Sequence, residues 1–319
     1  MAQPSRTDVR PVDPVLSNYA QAYMNDMNSF VASRALSWVP VTEESGTYPI
    51  YTKKYWFSNN VEERAYGADY AVAGYGLSSG TYKTLQYALS HPVADEVEAL
   101  SQTPLSLRQS GIRFLSQNFA IKREREFATL FMANASWTSE QSGGDSGYTK
   151  WSDTASSDPV GNLKTMKRTI SQLIGRQPNV VVCGEIVWDR LTEHPDVIDR
   201  IKYTDLPEDA AMPAKIAAIT GIANWYVASA QYNSANEGQT ISLSPIIDDD
   251  ILMFYRNPNT EPMDPTAAKA FYWQPGGGLG GIREYYDEQK DATVLKWKEQ
   301  WDMVVVGADA GFFIDDIVD

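Results

Sequence analysis

The chain has 319 residues, 43% of them hydrophobic and 21% charged, with a formal net charge of −14. That length and composition exclude general disorder and leave room for one large domain or two ordinary ones. The acid excess excludes tight binding to nucleic-acid backbones or anionic membranes, which requires clustered Lys and Arg. It does not exclude a container for nucleic acid, because an acidic wall lets a packed duplex slide without sticking. Cys183 is the only cysteine, so no intrachain disulfide can form, and folding in a reducing cytoplasm fits.

Residues 1–14 carry no apolar core and read as neither signal peptide nor anchor. Pro4, Pro11 and Pro14 break any early helix, after which Tyr19, Tyr23, Met27, Phe30 and Val31 recur at helical spacing. Residues 1–44 are therefore expected to form an arm with one sticky face. Ser45-Gly46-Thr47-Tyr48 and Ser79-Gly80-Thr81-Tyr82 each open a β-prone run, the second passing through Leu85 and Tyr87 to Leu89. Between them residues 59–80 are mostly polar and contain glycine, so residues 45–92 are expected to project as a long β-hairpin. Two strands alone are marginal in water, and a neighbouring subunit is the natural support. The inter-subunit contact candidates on it are Lys53, Lys54, Tyr55, Trp56, Phe57, Glu63 and Arg64.

Residues 95–135 read as one long helix with Pro104 near its start, its stripe formed by Ile112, Leu115, Phe119, Phe127, Leu130 and Phe131. Residues 136–157, rich in Ser, Gly, Asp and Thr, read as a surface loop holding Trp137, Tyr148 and Trp151. Asp158 and Pro159 then form an N-cap and first turn, Val160 to Ile174 supply an apolar face, and Gly175 stands at the C-cap. A short buried strand follows over 179–183, then helices carrying Val187 and Leu191, and Val197 and Ile201. A helix near 213–219 and strands at 223–231, 251–256, 270–273, 282–287, 292–303 and 312–318 complete an α+β chain with a mostly antiparallel sheet.

Chemistry-bearing patterns are sparse. His91 and His194 each precede proline and lack metal-ligand spacing. Residues 76–80 match G-x-S-x-G, and residues 276–281 match G-x-G-x-x-G, but the run after each reads as β where the chemistry needs a helix. Asp248, Asp249 and Asp250 are candidates for a hard cation, yet lack the alternating spacing of a calcium loop and read as a solvated acidic turn. Cys183 reads as an inert buried thiol. No catalytic residue, bound metal or cofactor is expected.

The order of parts, namely arm, hairpin, long helix, cap-helix-strand-helix block and β-rich end, resembles the Hong Kong 97-type fold of tailed-phage major capsid proteins. The run Asn179-Val-Val-Val-Cys-Gly184 with Val187-Trp188 and His194-Pro195 resembles a segment common in that family, as does the stretch from Phe30 through Gly46 and Tyr51 to Glu63 and Arg64. The resemblance extends over roughly residues 20–318. It implies an N-terminal arm (1–44), an extended loop (45–92) and a peripheral domain core (93–204) with a spine helix (95–135) and surface loop (136–157). An axial domain (205–300) and C-terminal strands returning to the peripheral domain (301–319) would follow. It also implies a non-enzymatic shell subunit that forms hexamers and pentamers around double-stranded DNA, assembled in the host bacterial cytoplasm and ending in the virion. Implied partners are further copies of the chain, a portal protein and, as a further candidate, a decoration protein. A separate scaffolding protein is expected because the chain starts almost directly with its arm. The runner-up is an encapsulin-like nanocompartment shell. A rival of another class is a soluble nucleotide- or metal-binding enzyme using the 276–281 loop.

Overall fold

The computed structural model describes residues 25–51, 53–100, 107–202, 212–236, 238–259, 261, 264–275 and 278–319. Most of the expected arm, Pro104 and the first two glycines of the 276–281 loop lie outside them. The Asn25 side-chain amide both donates to and accepts from the backbone of Gln231, at 2.8 and 3.3 Å. A 3-10 turn, Met27–Ser29, leads to a single helical turn, α1 (Ala32–Ala35). Phe30 and Val31 are buried and Met27 is exposed, so residues 25–36 form a strap rather than an amphipathic helix.

Strand β1 (Ser37–Val41) is followed by the hairpin strands β2 (Ser45–Tyr51) and β3 (Leu77–Lys83), with helix α2 (Lys53–Trp56) at the start of the excursion between them. Next come β4 (Leu85–Ala94) and α3 (Asp95–Leu100). The spine helix α4 (Leu107–Phe131) and β5 (Ser139–Ser142) follow. The expected helix over 95–135 is thus two described helices that end at Phe131. Leu115, Phe119, Phe127 and Phe131 form the buried stripe of α4 as their spacing predicts, whereas Leu130 is exposed.

Helix α5 (Pro159–Ile174) forms by the local chemistry expected of it. The Asp158 carboxylate accepts from the Gly161 amide at 2.8 Å, Pro159 occupies the first turn, and Gly175 at φ 70° closes the helix by donating to Ser171. An L side chain at that φ would be strained, which is why glycine ends the helix. Strand β6 (Val180–Gly184) and helices α6 (Glu185–Glu193), α7 (Pro195–Lys202) and α8 (Met212–Thr220) come next. Strands β7 (Asn224–Ala228), β8 (Gln231–Asn233), β9 (Leu243–Pro245) and β10 (Ile251–Phe254) follow. The chain closes with β11 (Ala268–Trp273), β12 (Ile282–Asp287), β13 (Ala292–Val305) and β14 (Gly311–Asp315).

These strands build two five-stranded sheets rather than one, each mixed, with antiparallel pairs in the majority as expected. In the first, β13 pairs with β4 along one edge and with β12 and then β11 along the other, and β1 adds parallel to β11. The spine helix lies on this sheet. Phe119 stacks on Trp297 at 5.8 Å, and Tyr87 meets the fully buried Trp301 at 4.3 Å. The second sheet runs β5-β14-β10-β6-β7, with parallel pairs at β5–β14 and β6–β7.

Side chains alternate across a strand, and the second sheet uses both faces. Val180, Val182, Leu252, Phe254 and Phe313 join Phe127, Phe131, Trp301, Val31 and Leu36 in one core. Val181, Cys183, Ile251, Met253, Phe312 and Ile314 face helices α5 to α8 in another. This double burial explains why β6 reads as an unbroken apolar run.

Strand β6 pairs with β7 from beyond the expected boundary at 204–205, which itself lies outside the described residues. The C-terminal part splits, 301–305 in the first sheet and β14 in the second. The loop at 136–157 is not merely surface, since Trp137, Tyr148 and Trp151 are buried and β5 joins a sheet. Trp137 covers Gly311, where an added Cβ would lie 2.2 Å from its ring, and donates to the Phe131 carbonyl at 2.8 Å. Ladder pairing selects partners by packing rather than by nearness in the chain, so sequence order did not reveal these groupings.

Candidate interaction surface

The hairpin has a packed root and a bare tip. At the root the two Ser-Gly-Thr-Tyr runs pair antiparallel, which sets Gly46 opposite Tyr82, Thr47 opposite Thr81 and Tyr48 opposite Gly80. Each tyrosine ring lies over the facing glycine, and a Cβ on Gly80 would come within 2.3 Å of the Tyr48 ring. Both rings then reach Phe271 of β11, at centroid distances of 5.6 Å for Tyr48 and 4.5 Å for Tyr82. The repeated tetrapeptide is thus a self-complementary device that anchors the hairpin to the first sheet, a role its sequence alone did not disclose. Gly80→Ala is expected to push Tyr48 off Phe271 and cost about 1–3 kcal/mol, the usual toll of overpacking. Denaturant unfolding checks it, and an unchanged midpoint would contradict the anchor.

The hairpin is shorter than expected. It ends at Thr84, whose amide and hydroxyl both bond the Glu44 carbonyl at 2.9 Å. Beyond that pivot β4 leaves its partner and runs along β13, from Leu85 opposite Trp301 to Ala94 opposite Ala292. The excursion is therefore 45–83, not 45–92.

Beyond the root little of the tip touches its own body. Lys53 pairs with Asp309, so this candidate already has an intramolecular partner. Tyr55 covers Gly76, and the exposed Phe57 ring lies beside Gly175. Trp56 is 60% exposed and meets Tyr75 at 5.8 Å. Lys54 and Glu63 are exposed, while Arg64 stacks over Tyr70 at 4.1 Å and donates to the Ala68 carbonyl at 2.5 Å. Val61, Tyr66 and Val72, not singled out by the sequence, are 87%, 109% and 98% exposed. The signal for them was present in the aromatic series Tyr66, Tyr70, Tyr75 within an otherwise glycine- and alanine-rich stretch.

The other candidates hold structure together. His194 is buried with its Nε2 3.1 Å from the Ser157 hydroxyl, and His91 packs on Phe114. Cys183 is fully buried, which pushes its thiol up to about 12. Ser78 of the G-x-S-x-G stretch lies in a β-strand and donates to the Ile50 carbonyl, and the 276–281 loop leads into β12, so neither motif has its helix.

Asp248, Asp249 and Asp250 line the end of the second sheet. Asp250 accepts from the Asp316 amide at 3.2 Å, the Asp249 carbonyl accepts from Ile317, and a Cβ on Gly184 would lie 1.5 Å from the Asp248 oxygen. Burial, with Asp249 and Asp315 nearby, pushes the Asp250 carboxyl up. Among the described residues no group of three or more His, Cys, Asp or Glu could hold a metal ion. No helix among them is long and apolar enough to cross a membrane.

Residues 142–263 match the model of a family described as phage major capsid protein E. A major capsid protein of Burkholderia phage BcepMu is 28% identical over 196 residues, 61% of this chain and 62% of that protein, so the match spans less than two thirds of the relative. Among solved structures, a phage-related protein from Bordetella bronchiseptica RB50 superposes with a TM-score of 0.70 at 20% identity, covering 97% of this chain and 98% of that one. The capsid structure of the cyanophage P-SCSP1u gives 0.55 at 11% identity, with 98% and 92% covered. An encapsulin from Synechococcus elongatus PCC 7942 gives 0.51 at 11% identity, with 97% of each chain covered.

Proposed function

We propose that this chain, whose fold is the Hong Kong 97-type capsid fold, is a structural subunit of a phage head shell that assembles with its own copies into hexamers and pentamers around double-stranded DNA. The observation that carries the reading is the hairpin tip, where Val61, Tyr66 and Val72 stand almost wholly in solvent. A monomer gains nothing from such a surface, and burying one aromatic of 150–250 Å² at roughly 25 cal/mol per Å² is worth several kcal/mol. Repeated around closed symmetry axes, moderate contacts of this kind hold a shell.

In this reading the excursion at 45–83 is the extended loop that lies on a neighbour. The spine helix with the first sheet is the peripheral domain, and the second sheet with α5 to α8 is the axial domain. The matches to phage major capsid proteins support a phage head over a nanocompartment. A scaffolding protein, a portal protein and a decoration protein are the partners such a head would use.

Electron microscopy of particles isolated from infected or expressing cells tests this. Closed shells containing DNA and one portal vertex are the expected result. Shells packed with protein cargo and no DNA would instead indicate a nanocompartment, and a chain that stays monomeric at every concentration would overturn the proposal.

A further inference from the structure

Against the chain's charge of −14, two neighbouring helices carry no acid at all. Helix α5 carries Lys164, Lys167 and Arg168 and not one Asp or Glu, and helix α8 carries Lys215 and likewise no acid. The two helices border a cleft of about 540 Å³ whose cationic wall is Lys164, Lys167 and Arg168, with Gln172 and Gln177 beside it. Lys167 has a structural duty, since its ammonium bonds the Thr220 and Gly221 carbonyls at 3.0 and 3.4 Å and so caps the end of α8. Lys164 and Arg168 have none. Both are exposed, and neither forms an ion pair with a described residue.

Like charges four residues apart on one helix face repel, and neither helix offers an acid to relieve them. A fold that is otherwise acidic therefore keeps three cations concentrated where they work against one another. An anion outside the subunit accounts for that arrangement.

We propose that this cleft binds the phosphodiester backbone of the enclosed duplex, so that the α5–α8 face of each subunit looks into the shell. The inference rests on the shell reading above and adds to it an orientation and a contact. Duplex DNA presents a charge about every 1.7 Å along its axis, so a phosphate falls opposite the cleft in any register, and no sequence readout is needed. The lining holds no aromatic anchor of the kind on which protein partners centre their contacts. Two or three cations per subunit hold a phosphate weakly, and the acidic remainder repels it. The outermost DNA layer is therefore tethered by many faint contacts and still free to slide.

Lysine acylation read by mass spectrometry on DNA-filled and emptied shells tests this. Lys164 is expected to react roughly fivefold more slowly in filled shells, with the protection gone near 1 M salt, where the screening length falls to about 3 Å. Lys54 on the hairpin serves as the assembly control, equally protected in filled and emptied shells. Lys164 protected equally in both would mean that a carboxylate surface of another protein chain covers the cleft. Lys164 fully reactive in both would mean that the face looks outward. Either result overturns the proposal, and a chain that forms no DNA-filled shell removes the reading beneath it as well.

Discussion

Tyr66→Ser combined with Val72→Ser is expected to yield a folded subunit that no longer assembles. Both side chains are essentially fully exposed in the isolated chain, so their loss removes no packing from the monomer. Surface changes of that kind shift stability by about 0.5 kcal/mol or less. At an interface the same truncations remove contact area from the centre of the tip, where about 2 kcal/mol or more per residue is typical of a hot spot. That is roughly thirtyfold per residue, and so about a thousandfold for the pair, in each contact constant, and a closed shell makes the contact many times over. Size-exclusion chromatography and negative-stain images should show unassembled subunits at concentrations where the parent chain forms shells, with a cooperative melt that marks the variant as folded. Normal shells from this variant would remove the hairpin tip as the assembly surface.

The second large effect is expected at Glu124, in the middle of the spine helix. Its carboxylate is completely buried and accepts from the Val31 amide at 3.0 Å with both oxygens and from the Ala32 amide at 2.8 Å. It thereby fastens the strap at residues 30–36 into the seam between the two sheets. Burial pushes this carboxyl up to about 7, against the opposing pull of the Ala32 and Val31 amides and of the Arg34 and Arg123 guanidiniums.

The folded chain therefore holds a proton at Glu124 that the unfolded chain, titrating near 4.5, has released. The stabilisation from that proton is fully present below about pH 4.5 and is lost as pH rises through about 7. The difference amounts to about 3 kcal/mol. Denaturant unfolding of the non-assembling variant at pH 5 and pH 8 should show this extra loss relative to Glu124→Gln, which keeps an acceptor and cannot titrate. Glu124→Ala should cost about 3 kcal/mol at pH 5, because two buried amides lose their acceptor, and much less at pH 8, where the parent has already lost the stabilisation from its proton. Parallel stability profiles for Glu and Gln at this position would show that the carboxyl is not held protonated by the fold.

Much of the candidate surface was legible. Lys54, Trp56, Phe57 and Glu63 are exposed on the excursion as their sequence context implied. The pairing of Lys53 was not legible, because its partner, Asp309, stands 256 positions further along the chain. Glu124 escaped notice for a related reason. In sequence it belongs to a charged stretch suited to an exposed helix face, and only the strap, 93 residues earlier, makes it a buried acceptor.

What the sequence by itself determined is local. Asp158, Pro159 and Gly175 delimit α5 through capping bonds to near neighbours. Gly46, Tyr48, Gly80 and Tyr82 encode a hairpin through the residues that turns and strands accept. The unbroken run in β6 declares that both its faces will be covered. What only the tertiary structure decided is which distant elements meet: β6 with β7 and β10, β4 turning from β3 to β13 at Thr84, and the tryptophans of 136–157 sinking into the core. Capping and turn preferences act over a few residues and can be read in order. Sheet partners and buried charges are chosen by shape and desolvation across the whole chain, and these have no address in the sequence until the chain is folded.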